Sequence, residues 1–387
     1  MKKAKYATNY NKTKGRLYSE PESEHRNPFQ RDKDRIIHSE YFRLLKHKTQ
    51  VFLAHTEDYY RTRLTHSLEV SQIARTIARI LNVDEDLAEV LALSHDLGHP
   101  PFAHSGEEVL DECMKDFGGF DHNIQTLKIV TSLEKRYPNF NGLNLSWETL
   151  EGILKHNGPI KDYKSKSSKG FFINSYIKEH DLEIQTFPGL EAQIASLSDD
   201  IAYNNHDIDD GFRAKKFRIK DLCEIEIIDR IYREIISEYT NLDEFMIVQE
   251  IVRRLIGFMV NDLILETQKN LDNLKPKNVS DIRNHDRPIA MFSDNMELQD
   301  KELKNFLIKR VYTHSSMEVD RNLSRKVIKE LFNLLLEDIN LLPDDLKILC
   351  QKNSKSKNAY IICDYIASMT DRSATANHAK IINNQKL

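Results

Sequence analysis

At 387 residues the chain can bury one large core or two smaller ones, so size does not limit it. Scarce Gly (12) and Pro (10) beside 30% charged residues read as a mostly helical soluble protein, and a net charge of −4 excludes a global pull toward nucleic acid or membrane. Cys113, Cys223, Cys350 and Cys363 lack CxxC spacing, which excludes a structural zinc site and a disulfide scaffold. No apolar run is long enough to span a membrane, so the expected address is cytoplasmic.

In chain order, residues 1–27 carry Lys2, Lys3, Lys5, Lys12, Lys14 and Arg16 with few apolar residues and read as a mobile basic arm. Helical patterning starts near Asp32, with Ile37, Tyr41, Leu44 and Leu45 on one stripe. A second helix is expected over about His66 to Leu81, a turn at Asn82-Val83-Asp84, and a third helix from Asp86 to about Leu97, stopped by Gly98 and Pro100-Pro101. Such an antiparallel pair returns His95 toward His66. At roughly 1.5 Å per residue the two lie about 24 and 18 Å from the turn, within about one helical turn of each other.

Residues 160–172 (IKDYKSKSSKGFF) read as an exposed loop. Asp199 opens a further helical element in which Asp199, Tyr203 and Asp207 share a face, while Asp200 points about 100° away. Charged helical patterning resumes near 213 and continues past 340, with a loop at 270–290. A polar loop, KNSKSKN, follows Pro343, and a last helix starts near Tyr360.

His66, the pair His95-Asp96 at a helix end, and Asp199 offer two imidazoles and two carboxylates, a ligand set suited to Mn, Fe, Zn or Mg with positions left for water and phosphate. Alone, each has a bland alternative: a histidine at a helix start is commonly a cap residue, and DDIAYNNHDIDD could be a charged surface helix. An aromatic between two acids on one stripe argues against the latter.

The ordered pattern His … His-Asp … Asp resembles the HD superfamily of metal-dependent phosphohydrolases. More closely, NPFQRDKDRIIHSEYFRLLKHKTQVF, RTRLTHSLEVSQIARTIAR, ALSHDLGHPPFAHSGEEVL, GFDHNIQTLKI, LSDDIAYNNHDIDDG and CDYIASMTDRSA resemble successive blocks of the bacterial deoxyguanosine triphosphate triphosphohydrolases, over about residues 27–376. The resemblance implies an all-α fold: an HD-domain catalytic core over 28–215 and a helical extension over 216–387 that packs on the core and contributes to oligomer contacts. It implies hydrolysis of dGTP or several dNTPs to deoxynucleoside and inorganic triphosphate, with one divalent metal per site held by His66, His95, Asp96 and Asp199. Manganese and magnesium lead; iron, cobalt, nickel and zinc are also compatible.

By the same resemblance, His104, Glu107 and His122 lie beside the α-phosphate, with His104 as base, acid or orienter. Arg63 aims a guanidinium fork at the metal-bound phosphate. Arg35, Arg43, Lys46 and Gln50 belong to the block that supplies substrate-pocket or neighbouring-subunit contacts, and Asn123 neighbours His122. Tyr203 lies against the sugar, where it leaves no room for a 2′-hydroxyl, and Asp207 accepts from the 3′-hydroxyl. His99 is expected to hold the ligands in position. A homo-oligomer, hexamer or dimer, and an activating dNTP at a second site are further implications, and the basic arm leaves nucleic-acid contact open. Two other readings stand beside this one. Another HD phosphohydrolase is the first, although the GYP motif of the cyclic-dinucleotide enzymes is absent. A non-catalytic nucleotide sensor is the second.

Overall fold

The computed structural model describes residues 3–52, 59–161 and 168–384. Among these, eighteen α-helices and several short 3-10 and π turns account for the regular structure; no β-strand is present, only isolated bridges. No helix among the described residues is long and apolar enough to cross a membrane.

The centre is an antiparallel pair. The Arg63–Ile80 helix starts at Thr62, whose hydroxyl accepts from the Thr65 N–H while Thr65 returns a bond to the Thr62 N–H. It ends at Leu81, and Asn82, at φ 56°, makes the turn expected at residues 82–84. Asp84 then caps the Glu85–Ser94 helix by accepting from the Leu87 N–H at 3.1 Å. This second helix is three residues shorter at its end than expected, because His95 is its last, C-cap residue. It is buried on nearly every face, from Leu87 through Ser94, as is the Trp147–Leu154 helix beside it. Helices apolar all round belong at a domain's centre. The 24-residue Leu190–Arg213 helix crosses the pair, so Asp199 sits in mid-helix rather than at the start of an element.

Two hydrophobic cores result. One runs from Phe29 through the central helices to Val311; the other joins the Ala103–Cys113 helix to the C-terminal helices Ser315–Glu337, Lys355–Ala367 and Asp371–Asn384. The first core continues past residue 215, through Ile219, Ile228, Leu255 and Leu307.

Local expectations shift in several places. The first helix begins earlier, at Pro28, where Asn27 and Gln30 form a reciprocal cap, and His38-Ser39 separates it from Glu40–Leu44. The basic arm lies on the core: Lys3 Nζ donates to Val83 O, Thr8 donates to both Glu191 oxygens, and Arg16 pairs with buried Asp32. The expected loop at 160–172 falls partly on residues 162–167, outside those described, and a helix begins at Ser168. Helices Glu244–Leu274 and Val279–Arg283 occupy part of the expected loop at 270–290, and Lys355 already starts the helix expected near Tyr360.

Candidate active site

His95 leaves its helix with Nδ1 2.7 Å from Ala92 O. A carbonyl only accepts, so Nδ1 carries a proton and Nε2 is the nitrogen that offers a lone pair when the ring is neutral. That Nε2 is buried, has no hydrogen-bond partner, and lies 3.4 Å from Asp96 Oδ1 and 3.4 Å from Asp199 Oδ1. His66, 5.5 Å away between ring centroids, brings its Nε2 to 2.8 Å from the same Asp199 oxygen. The antiparallel turn thus does what chain length allowed. His66, His95 and Asp96 present ligand atoms within 4.8 Å of one another, and Asp199 reaches both imidazoles.

The electrostatics point the same way. Burial alone would lower the His95 pKa, but Asp96 and Asp199 outweigh it and raise it to about 9. The burial cost on Asp199 is likewise outweighed by the histidines, chiefly His95, which hold its carboxyl well below the usual range. Buried Asp96 and partly buried Asp199 face an imidazole nitrogen without a hydrogen-bond partner, a donor set matched by a divalent cation. Asp200 faces elsewhere, toward Lys304 Nζ at 3.0 Å.

Beside this centre stands a second cluster on the turn after His95. His99 Nε2 lies 3.3 Å from Asp96 Oδ1, and its ring stacks on His122 at 3.9 Å. The close approach needs Gly98, where a Cβ would fall 2.0 Å from His122 O. Glu107 accepts from the His122 backbone at 3.0 Å and faces its Nδ1 at 2.8 Å. Burial opposes both charges, but the mutual bond wins: the His122 pKa is raised and that of Glu107 lowered. His104 lies 4.0 Å from Glu107 and 3.4 Å from the Tyr203 hydroxyl, with its side chain 58% exposed at the site's mouth. Burial of its inner edge and the nearby Arg63 charge lower its pKa.

Phe102 and Ala103, at φ 65° and 54°, turn the chain into the helix bearing His104. The C-terminal segment braces this strained turn: Asp371 accepts from the Phe102 N–H at 2.9 Å and the Thr49 N–H at 3.0 Å. Buried Lys48 donates to His99 O at 2.5 Å and Ala367 O at 2.9 Å.

Arg63 is almost wholly buried. Its Nη1 lies 2.9 Å from Asp96 Oδ2 but out of line for a hydrogen bond, and its Nε has no partner. Outward from His104 opens a cavity of about 600 Å³ including its mouth, lined among others by Gln50, Phe102, His104, Tyr203, Tyr312 and Arg321. Gln50 and Tyr203 therefore line this cavity.

Two expected substrate contacts, Arg35 and Asp207, are engaged elsewhere. Arg35 is committed elsewhere, to Glu20 and to the Leu143 and Asn144 carbonyls. Asn123 follows His122 in the same helix and gives its backbone N–H to the Asp121 side chain at 3.0 Å. Asp207 lies behind the wall, where the Tyr312 hydroxyl donates to its Oδ2; Tyr312, not Asp207, faces the cavity.

Sequence reasoning missed Tyr312, His156 and His206. Tyr312 is more than a hundred residues from Asp207, with no local signal. His156 Nε2 stands 3.5 Å from Asp199 Oδ2, following a buried helix in an otherwise ordinary turn. His206 was legible: seven residues after Asp199, two helical turns on, it shares that face.

A family model described as HD domain matches residues 63–204, and one described as phosphohydrolase-associated domain matches residues 290–380. A deoxyguanosinetriphosphate triphosphohydrolase-like protein of Parvibaculum lavamentivorans is 49% identical over 379 residues, covering 98% of this chain and 96% of the relative. The protein of the same description from Brucella canis is 49% identical over 382 residues, covering 98% and 95%. A crystal structure of a hypothetical protein from Aquifex aeolicus aligns with 85% of this chain and 70% of that chain, at a TM-score of 0.35 and 20% identity.

Proposed function

This chain belongs to the deoxyguanosinetriphosphate triphosphohydrolase-like family of HD-domain phosphohydrolases, and on that footing we propose that it hydrolyses dNTPs, dGTP or several, to deoxynucleoside and inorganic triphosphate. The observation that carries the proposal is continuity: the buried His–Asp centre opens through His104 and Tyr203 into an aromatic-walled cavity. His66, His95, Asp96 and Asp199 would hold a divalent metal, manganese or magnesium first. When bound, such an ion supplies Lewis acidity at the α-phosphate and activates water.

The chain's own residues do the rest. Arg63, with an unpartnered Nε, binds a phosphate oxygen, and its buried fork exchanges little energy with water in doing so. His104 moves a proton at the α-phosphate, on the water or on the departing 5′ oxygen, and Glu107 orients it. His122, paired with Glu107, keeps that carboxylate ionised and adds positive charge beside the phosphates. Tyr203 packs against the sugar and disfavours a 2′-hydroxyl. Tyr312, its oxygen committed as donor to Asp207, presents its ring edge and lone pair to the nucleoside, and Gln50 faces it across the cavity.

The test is incubation of the purified protein with Mn²⁺ or Mg²⁺ and each dNTP, singly and as a four-way mixture, followed by ion-exchange chromatography. Deoxynucleoside and triphosphate are expected, and both are lost in His95→Ala and Asp199→Ala. Turnover in the mixture alone would add an activating nucleotide site. No turnover in any combination would overturn the proposal.

A further inference from the structure

The metal ligand His66 is gripped from behind by two residues that the proposed reaction leaves unused. His66 Nδ1 lies 3.3 Å from His206 Nδ1, and the two rings stand nearly perpendicular, at 88° with centroids 5.5 Å apart. The other His206 nitrogen, Nε2, lies 3.3 Å from Glu69 Oε2. Glu69 is three residues after His66 on the Arg63–Ile80 helix, so the two clasp His206, which comes from the Leu190–Arg213 helix, between them. Arg61 in turn pairs with Glu69 at 3.1 Å and with Asp209 and Asp210, which anchors the carboxylate.

The proton positions in this chain follow from chemistry. For His66 to offer a lone pair at Nε2, its proton must sit on Nδ1. That proton then points at His206 Nδ1, which must be an acceptor. His206 therefore carries its proton on Nε2, on the side of the Glu69 carboxylate 3.3 Å away, a group that can only accept but is out of line for a hydrogen bond. Every nitrogen has one consistent role, and the order ends on an anion. Protonating His206 would put two N–H groups nose to nose at His66.

We propose that His206 and Glu69 are positioning residues that fix the His66 tautomer and ring angle and so set the metal affinity of the site. The inference rests on the reading of His66 as a metal ligand. Carboxylate-oriented imidazoles of this kind typically change metal affinity by about 10–100-fold when the orienting group is lost.

The test is a Mn²⁺ titration followed by EPR of the free ion, on wild type, His206→Phe, His206→Gln and Glu69→Ala, with apo-protein melting recorded for each. Phe keeps the ring's bulk and removes both nitrogens; about 10-fold or greater weakening is expected. Gln can accept from His66 through its oxygen and donate to Glu69 through its amide, so it is expected to recover most of the affinity. Glu69 is half exposed and can be truncated without a core cavity, so Glu69→Ala covers the case in which His206→Phe does not fold; several-fold weaker binding is expected. A purely packing role would lower apo stability and leave Mn²⁺ affinity unchanged among folded variants. Wild-type affinity in His206→Phe, or in Glu69→Ala where the former does not fold, would overturn the inference while leaving the metal site standing. No Mn²⁺ binding by the wild type would remove the metal site itself and the inference with it.

Discussion

Asp371 lies far from the metal in sequence, yet it should be among the most sensitive positions in the chain. It is the first residue of the Asp371–Asn384 helix and is buried, and its two oxygens each take one backbone N–H, from Thr49 at 3.0 Å and Phe102 at 2.9 Å. Replacing it with Ala leaves two buried donors without partners. Hydrogen bonds to a charged acceptor contribute about 1.5–3 kcal/mol each, so the loss should be about 3–6 kcal/mol. Asp371→Asn keeps one acceptor oxygen and turns an amide N–H₂ toward the other donor, so about half of that loss or more is expected. The consequence should reach activity before global unfolding, because the Phe102 N–H belongs to a turn with two consecutive positive-φ residues that aims His104. Urea denaturation gives the stability change, and dNTP turnover at a temperature where the variant is folded gives the functional one. A destabilisation below about 1 kcal/mol for Asp371→Ala, with normal turnover, would refute the reasoning.

Other positions give independent checks. Gly98→Ala would drive a Cβ to 2.0 Å from His122 O and 2.4 Å from Thr126 N; separating the packed segments should cost about 3 kcal/mol or more and misplace His122, read by thermal melting and kcat. Tyr312→Phe leaves Asp207 without its hydroxyl donor and should raise KM for dNTP by about 10-fold with a smaller change in kcat, which steady-state kinetics would show. Asp84, buried and beside Glu191, has its pKa raised from 3.8 to about 6. The folded state therefore binds the proton more tightly than the unfolded one, and the ionised carboxylate is a burden above pH 6 but not below about pH 4. Asn caps a helix as well as Asp, so Asp84→Asn should stabilise by about 2–3 kcal/mol at pH 7 and by nearly nothing at pH 4. Equal gains at both pH values in urea melts would contradict this origin.

Local signals made much of the centre legible. Helix breakers after Leu97 and the turn at Asn82 bring His95 back to His66, since both histidines lie at comparable helical distances from one tight turn. Asp199 could be chosen over Asp200 because Tyr203 shares its face, and in the structure Asp200 does turn away to Lys304. What failed was long-range partnership. Nothing near Arg35 announces that Glu20 and two carbonyls will consume its donors. Nothing near Asp207 announces Tyr312, whose chain crosses back only after five intervening helices. The arm misled because its lysines look solvated, while Thr8 and Arg16, the residues that tether it, meet buried acids far along the chain. Helix starts were misread where a capping side chain, such as Asn27, lay just outside the apolar pattern.

The central claim is that bond cleavage falls between the 5′ oxygen and the α-phosphorus at the His66–His95–Asp96–Asp199 centre. Its most direct test is hydrolysis of dGTP in H₂¹⁸O with Mn²⁺, with products identified by ³¹P NMR and mass spectrometry. The account predicts unlabelled deoxyguanosine and triphosphate carrying one ¹⁸O on a terminal phosphorus, with neither formed by Asp199→Ala. Deoxyguanosine monophosphate with pyrophosphate, or label in the nucleoside, would contradict it.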